Sequence, residues 1–114
     1  MLSHEKLEAW QQAMSLVKSM YELTKTFPKE EVYGLSQQMR RAAVSIPSNI
    51  AEGAARSGTK EYAHFISIAR GSLSELDTQY KIAQMLEYCD SSESIKENIN
   101  QLGRLLTGLH KKWS

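Results

Sequence analysis

Proline and glycine are scarce in this sequence, two and six respectively among 114 residues. A protein of many short strands needs turn residues about every 8–12 positions, and this composition does not supply them. A single cysteine, Cys89, excludes an internal disulfide and a zinc site built on several thiols. Neither sign of charge dominates: 14 Lys and Arg face 13 Asp and Glu, for a formal net charge of +1. Attraction to nucleic acid or to a membrane surface therefore has to come from local patches, not from the field of the whole chain. No apolar run approaches the ~20 residues of a membrane span. Residues Met1 to Glu5 carry neither the basic nor the apolar region of a secretory signal, so a soluble cytoplasmic protein without membrane contact is expected.

Hydrophobic residues make up 41% of the chain, enough at this length for one domain, 1–114, with a real core. Good helix formers are abundant, and their spacing predicts four helices. The first runs from about Ser3, its expected N-cap, to Thr26, with Leu7, Trp10, Met14, Val17, Tyr21 and Thr24 on one stripe. A second stripe, Leu16, Met20, Leu23 and Phe27, widens its apolar face, and Pro28 ends it. The second helix, about Ser36 to Ala55, carries Leu35, Met39, Ala43 (or Ala42), Ile46, Ile50 and Ala54. Pro47 lies inside this pattern and predicts a bend, not a break, because it lacks the N–H that would bond the Ala43 carbonyl. The third helix, about Thr59 to Tyr88, aligns Tyr62, Ile66, Ala69, Leu73, Leu76, Tyr80 and Ala83. The fourth, about Ser91 to Lys112, aligns Ile95, Ile99, Leu102, Leu106, Leu109 and Trp113 behind an Asp90–Glu93 capping box. The expected fold is all-α: an antiparallel up-down-up-down four-helix bundle. A bundle uses one seam per helix. The second stripe of the first helix, with Ile68, Ile82 and Leu86 on the third, is surplus apolar surface that points to assembly with other copies.

Two polar patches flank the expected core. On the second helix, Ser45, Ser48 or Asn49, Glu52 and Arg56 share one edge. On the third, Gly71, Ser72, Ser74 and Glu75 cluster, and a mid-helix glycine costs about 1 kcal/mol against alanine, which argues for close packing at Gly71. The patches read either as a polar subunit interface or ligand-facing groove, or as a solvated face that happens to contain small residues. Glu61 and His64 have the Glu-x-x-His spacing of di-iron bundles, but such sites need two of these motifs and two further inward carboxylates; this chain has one motif. There is no Gly-x-Ser-x-Gly elbow, no histidine near Cys89 in sequence and no glycine-rich phosphate loop. No catalytic residue, metal or cofactor is expected.

Charge is unevenly distributed. Residues 32–74 carry Arg40, Arg41, Arg56, Lys60 and Arg70 against Glu52 and Glu61, residues 75–103 are acidic on balance, and the last turn is basic again. Arg40, Arg41, Arg56 and Lys60 are candidate phosphate contacts, and a ring of subunits would multiply them. The plainer alternative is a dipolar solvated surface with pairs such as Glu52–Arg56, since no aromatic residue interleaves with the arginines as a stacking platform.

Three runs carry a family resemblance. Phe27-Pro28-Lys29-Glu30-Glu31-Val32-Tyr33-Gly34-Leu35, the segment from Gln38-Met39-Arg40-Arg41 through Ser45-Ile46-Pro47-Ser48-Asn49-Ile50-Ala51-Glu52-Gly53, and Gly71-Ser72-Leu73-Ser74-Glu75-Leu76 resemble the bacterial four helix bundle protein family. That family includes proteins encoded by intervening sequences in bacterial large-subunit ribosomal RNA genes. The accessory variability determinant of diversity-generating retroelements looks like a more distant relative. The similarity spans Trp10 to Leu109, and its signature residues here are Arg40, Arg41, Ser45, Pro47, Ser48, Asn49, Glu52 and Gly53. It implies an up-down-up-down bundle that assembles as a ring, typically a homopentamer, without enzyme activity. It also implies association with structured RNA or an RNA-processing partner. The alternative expectation is a protein-interaction scaffold that binds no nucleic acid and uses the surplus apolar faces.

Overall fold

The computed structural model describes residues 2–114. Its four helices are α1 (Glu8–Thr24), α2 (Leu35–Ala55), α3 (Thr59–Met85) and α4 (Glu93–Trp113), with 3₁₀ turns at Ser3–Lys6 and Lys29–Glu31 and no strand among the described residues. Each helix packs on the next, and α1 closes against α4, giving a four-helix bundle of 43 × 25 × 23 Å. Ser45 meets Ser72 and Gly53 meets Tyr62 across α2 and α3. Tyr62 stacks on Trp113, Gly103 faces Leu73 and the Tyr80 hydroxyl reaches Ser92 across α3 and α4. In both pairs the residue number rises on one helix as it falls on its neighbour, so the neighbours run in opposite directions.

The seams of α2, α3 and α4 follow the helical periodicity of their large apolar residues. Met39, Ile46 and Ile50 meet Ile66, Leu73 and Leu76, with Ile95, Ile99, Leu102 and Leu106 completing the core. Each such side chain contributes about 1.5–3 kcal/mol by leaving water. In α1 the order of the two stripes is reversed from expectation. Ala9, Ala13, Leu16, Met20 and Thr24 are buried, whereas Met14 and Tyr21 remain 44% and 40% exposed. Two alanines extend the Leu16–Met20 row toward the N-terminus, and their small side chains allow α1 to sit close on the bundle. The row of larger residues, Trp10, Met14, Val17 and Tyr21, is left on the flank.

Local chemistry moves several helix ends. The Leu2 N–H donates to the Glu5 carboxylate (2.6 Å), closing a separate 3₁₀ turn, and extended backbone at Leu7 (ψ 128°) resets the chain before α1. Ser3 therefore does not cap α1, which begins at Glu8. The cap of α4 is Ser92, not Asp90: its Oγ accepts from the Ile95 N–H (3.3 Å), and its own N–H donates to the Tyr80 hydroxyl (2.8 Å). α2 runs without interruption through Pro47. α3 stops at Met85, three residues short of expectation. Glu87 adopts left-handed backbone (φ 63°), the Glu87 N–H bonds the Gln84 carbonyl and the Tyr88 N–H bonds the Ala83 carbonyl. This is a Schellman ending, built on glutamate where glycine is the usual choice.

A side chain in left-handed backbone costs about 1–2 kcal/mol, part of which glycine returns to the flexibility of the unfolded chain. Glu87→Gly is expected to stabilise the protein by about 0.5–1 kcal/mol. Urea denaturation should show a higher midpoint with an unchanged slope.

Candidate nucleic-acid interface

α2 is laid against α3 by a seam of small residues. A Cβ added to Gly53 would stand 3.0 Å from the Phe65 Cβ and 3.3 Å from the Tyr62 carbonyl oxygen, so glycine is what permits the approach. Further along the seam, Ser45 Oγ and Ser72 Oγ are 2.9 Å apart, and the Asn49 amide donates to both the Ser45 carbonyl (2.8 Å) and its Oγ (3.0 Å). Asn49 has thereby taken an acceptor site on Ser45, leaving the Ser45 hydroxyl free to donate to Ser72. Ser48 Oγ donates to the Val44 carbonyl (2.8 Å), and Glu52 pairs with Arg56. Within one subunit, Ser45, Asn49, Ser72 and Gly53 are thus engaged in holding α2 on α3. Ser48, Glu52, Gly71 and Glu75 stay exposed. Gly71 has open space around it, and the close packing expected there is absent within the chain.

The outer face of α2, with the end of α1 and the segment after the Lys29–Glu31 turn, forms an open cleft of about 550 Å³. Tyr21, Val32, Tyr33, Gln37, Arg40, Arg41, Val44 and Ser45 line it. Arg40 is fixed in the wall: its Nε donates to Thr24 Oγ1 (2.8 Å), and its guanidinium lies 4.6 Å from the centre of the Tyr21 ring. Thr24 is itself buried, its hydroxyl donating to the Met20 carbonyl (2.7 Å). Arg41 is exposed and forms no ion pair among the described residues. Tyr33 is 89% exposed.

The backbone beneath Tyr33 is secured. The Glu31 carboxylate accepts from the Leu35 N–H (3.0 Å), which caps α2, and from the Tyr88 hydroxyl (2.8 Å). The Leu35 bond first, then the Tyr88 bond, holds the Glu31 carboxyl below the usual glutamate range. The same hydrogen bond pushes the Tyr88 phenol up.

The four candidate phosphate-binding residues do not form one patch in a subunit. Arg40 and Arg41 line the cleft, whereas Arg56 lies about 24 Å further along α2 at 1.5 Å per residue. Arg56 donates to Glu52 (2.7 Å), lies 3.9 Å from Glu61 and covers the Phe65 ring at 5.0 Å. Lys60 is exposed in a separate hollow beside Trp113. Sequence reasoning missed Tyr21 and Tyr33 as companions of the arginines, because they arrive from other elements. The available signal was the short connection between the first two helices: it turns the chain back so that Arg40 meets Tyr21 and Thr24, 19 and 16 residues earlier.

A second, apolar groove adjoins the cleft at Val44. Trp10, Met14 and Val17 of α1 face Pro47, Ser48 and Ala51 of α2 around about 310 Å³. Elsewhere, burial first and Asp90 second push the Cys89 thiol up, away from the nucleophilic thiolate. His64 is exposed and sits edge-on to Phe65. Among the described residues no group of three or more His, Cys, Asp or Glu could hold a metal ion, and no helix is long and apolar enough to cross a membrane.

Residues 5–108 match a family model described as 23S rRNA-intervening sequence protein. No curated protein matches the chain.

Two substitutions separate the glycines of the signature patches. Gly53→Ala must shift Phe65 and Tyr62 by a few tenths of an ångström. Overpacking of about 1–3 kcal/mol set against a helix-propensity gain of about 1 kcal/mol leaves an expected net loss of up to about 2 kcal/mol. Gly71→Ala is expected to gain about 0.5–1 kcal/mol from helix propensity alone; thermal or urea denaturation reads both. Glu31 supplies a pH dependence. Because its folded pKa is depressed, its stabilisation is complete above the ordinary glutamate value and is lost as pH falls through the folded value. Glu31→Gln should therefore be less stable than wild type at pH 7, with the gap closing at acid pH in parallel urea titrations.

Proposed function

The chain belongs to the 23S rRNA-intervening sequence protein family, and from that membership and the cleft we propose a non-enzymatic helical-bundle protein that assembles as a homo-oligomeric ring and associates with structured RNA or an RNA-processing partner. The observation that carries the RNA reading is Arg41, an exposed cation without an ion-pair partner among the described residues, in a cleft shared with Tyr21 and Tyr33. A free guanidinium in a cleft that also holds aromatic rings suits a phosphate and an adjoining base. Assembly is supported by the apolar flank left open by one copy: Met14, Val44 and Ile68 are 44%, 39% and 39% exposed. Five copies is the number the family resemblance implies, and the cytoplasm is the compartment proposed. The groove of Trp10, Met14, Val17 and Pro47 favours a second reading, a protein scaffold that binds no nucleic acid.

Light scattering at micromolar concentration should report a multiple of the subunit mass; a stable single subunit overturns the ring. Fluorescence anisotropy with a structured RNA should show affinity falling with salt. Arg41→Ala should flatten the log–log salt dependence by about 0.7–0.9, the slope carried by one neutralised phosphate. Absence of salt-dependent binding overturns the RNA reading. Recovery of a protein partner after nuclease treatment, with no RNA bound, selects the scaffold.

A further inference from the structure

We infer that the cleft takes an unpaired nucleotide of the RNA, its base stacked on Tyr33 and its phosphate held by Arg41; this rests on the RNA reading above. Tyr33 is a large ring at 89% exposure on a backbone fixed by the Glu31 bonds to Leu35 and Tyr88. An aromatic side chain with two torsions, on an anchored backbone, gives up little freedom when a flat partner stacks on it. The other residues of the cleft divide the remaining work. Arg40 is committed to Thr24 and to the Tyr21 ring, so it stiffens the wall. Arg41 has no carboxylate partner among the described residues, and the Glu31 carboxylate is already occupied by two donors. At about 550 Å³ the cleft falls in the size range of small-ligand sites. Bases inside a duplex are stacked on their neighbours and present no free face, whereas loops, bulges and single strands do. The arrangement therefore selects unpaired over paired RNA, and it does so without reading sequence, because every base has a π face.

The test uses the full chain and three labelled RNAs: a single-stranded oligonucleotide, a hairpin carrying an open loop and a blunt duplex. Wild type should bind the first two more tightly than the duplex. Tyr33→Ala should weaken single-strand and loop binding about 5- to 150-fold, the range for loss of one stacked base, with little effect on the duplex. Tyr33→Trp should retain affinity, and circular dichroism melts should be unchanged for both variants, since the ring is exposed. Binding of all three RNAs with equal affinity, or indifference to Tyr33→Ala, overturns this inference and leaves the RNA reading standing. Failure of wild type to bind any of the three overturns both. Loss of the assembled mass in Tyr33→Ala, with RNA affinity unchanged, makes the cleft a contact between copies and also overturns the inference.

Discussion

The close approach of α2 to α3 is the constraint on which the rest of the molecule depends. A Cβ at Gly53 would stand 3.0 Å from the Phe65 Cβ and 3.3 Å from the Tyr62 carbonyl oxygen. Ala42, Ala43 and Ser45 continue the small surface, with Asn49, Ser45 and Ser72 linked by hydrogen bonds where α2 passes α3. A seam of this kind combines dispersion from tight contact with satisfied polar groups, so it fixes the rotation of α2 about its own axis as well as its distance. Once that rotation is set, Arg40 and Val44 turn toward α1 and Arg41 is left exposed beside them. The cleft and the seam meet at Ser45, which bonds Ser72 and also lines the cleft.

α1 is the adaptable partner in this arrangement. It offers two apolar rows, and the bundle buries the one with the smaller residues. Its discarded row does not lie idle: Tyr21 receives the Arg40 guanidinium, and Trp10, Met14 and Val17 form one wall of the apolar groove. The surplus hydrophobic surface and the cationic cleft are therefore neighbours on one face of the protein, divided at Val44. Arg40, Arg41 and Ser45 line the cleft, and Pro47 and Ser48 line the groove.

The bundle was legible in the sequence because three of its helices bury large aliphatic residues at strict helical spacing, and no competing pattern overlays them. α1 was misread because its core row includes Ala9 and Ala13, which a count of large apolar residues passes over in favour of Trp10 and Met14. Helix ends were misplaced where a distant side chain or an unusual local backbone decided them. Tyr80 fixes the start of α4 through Ser92, and an unusual left-handed Glu87 ends α3. The arginines of the cleft were recognisable as cations. Their aromatic companions were not, since Tyr21 and Tyr33 join them only through tertiary folding, and the distance between Arg40 and Arg56 is set by the length of helix between them. The Gly71 environment is open in the subunit, where mid-helix position alone argued for contact.

The hydrogen bond from Tyr88 to Glu31 joins side chains 57 positions apart in sequence. Through it, the lip of the cleft shares a fastening with the corner where α3 gives way to α4. Loosening that lip breaks a hydrogen bond at the corner as well. The turn that carries Tyr33 and that pole of the bundle are thus held by one and the same bond.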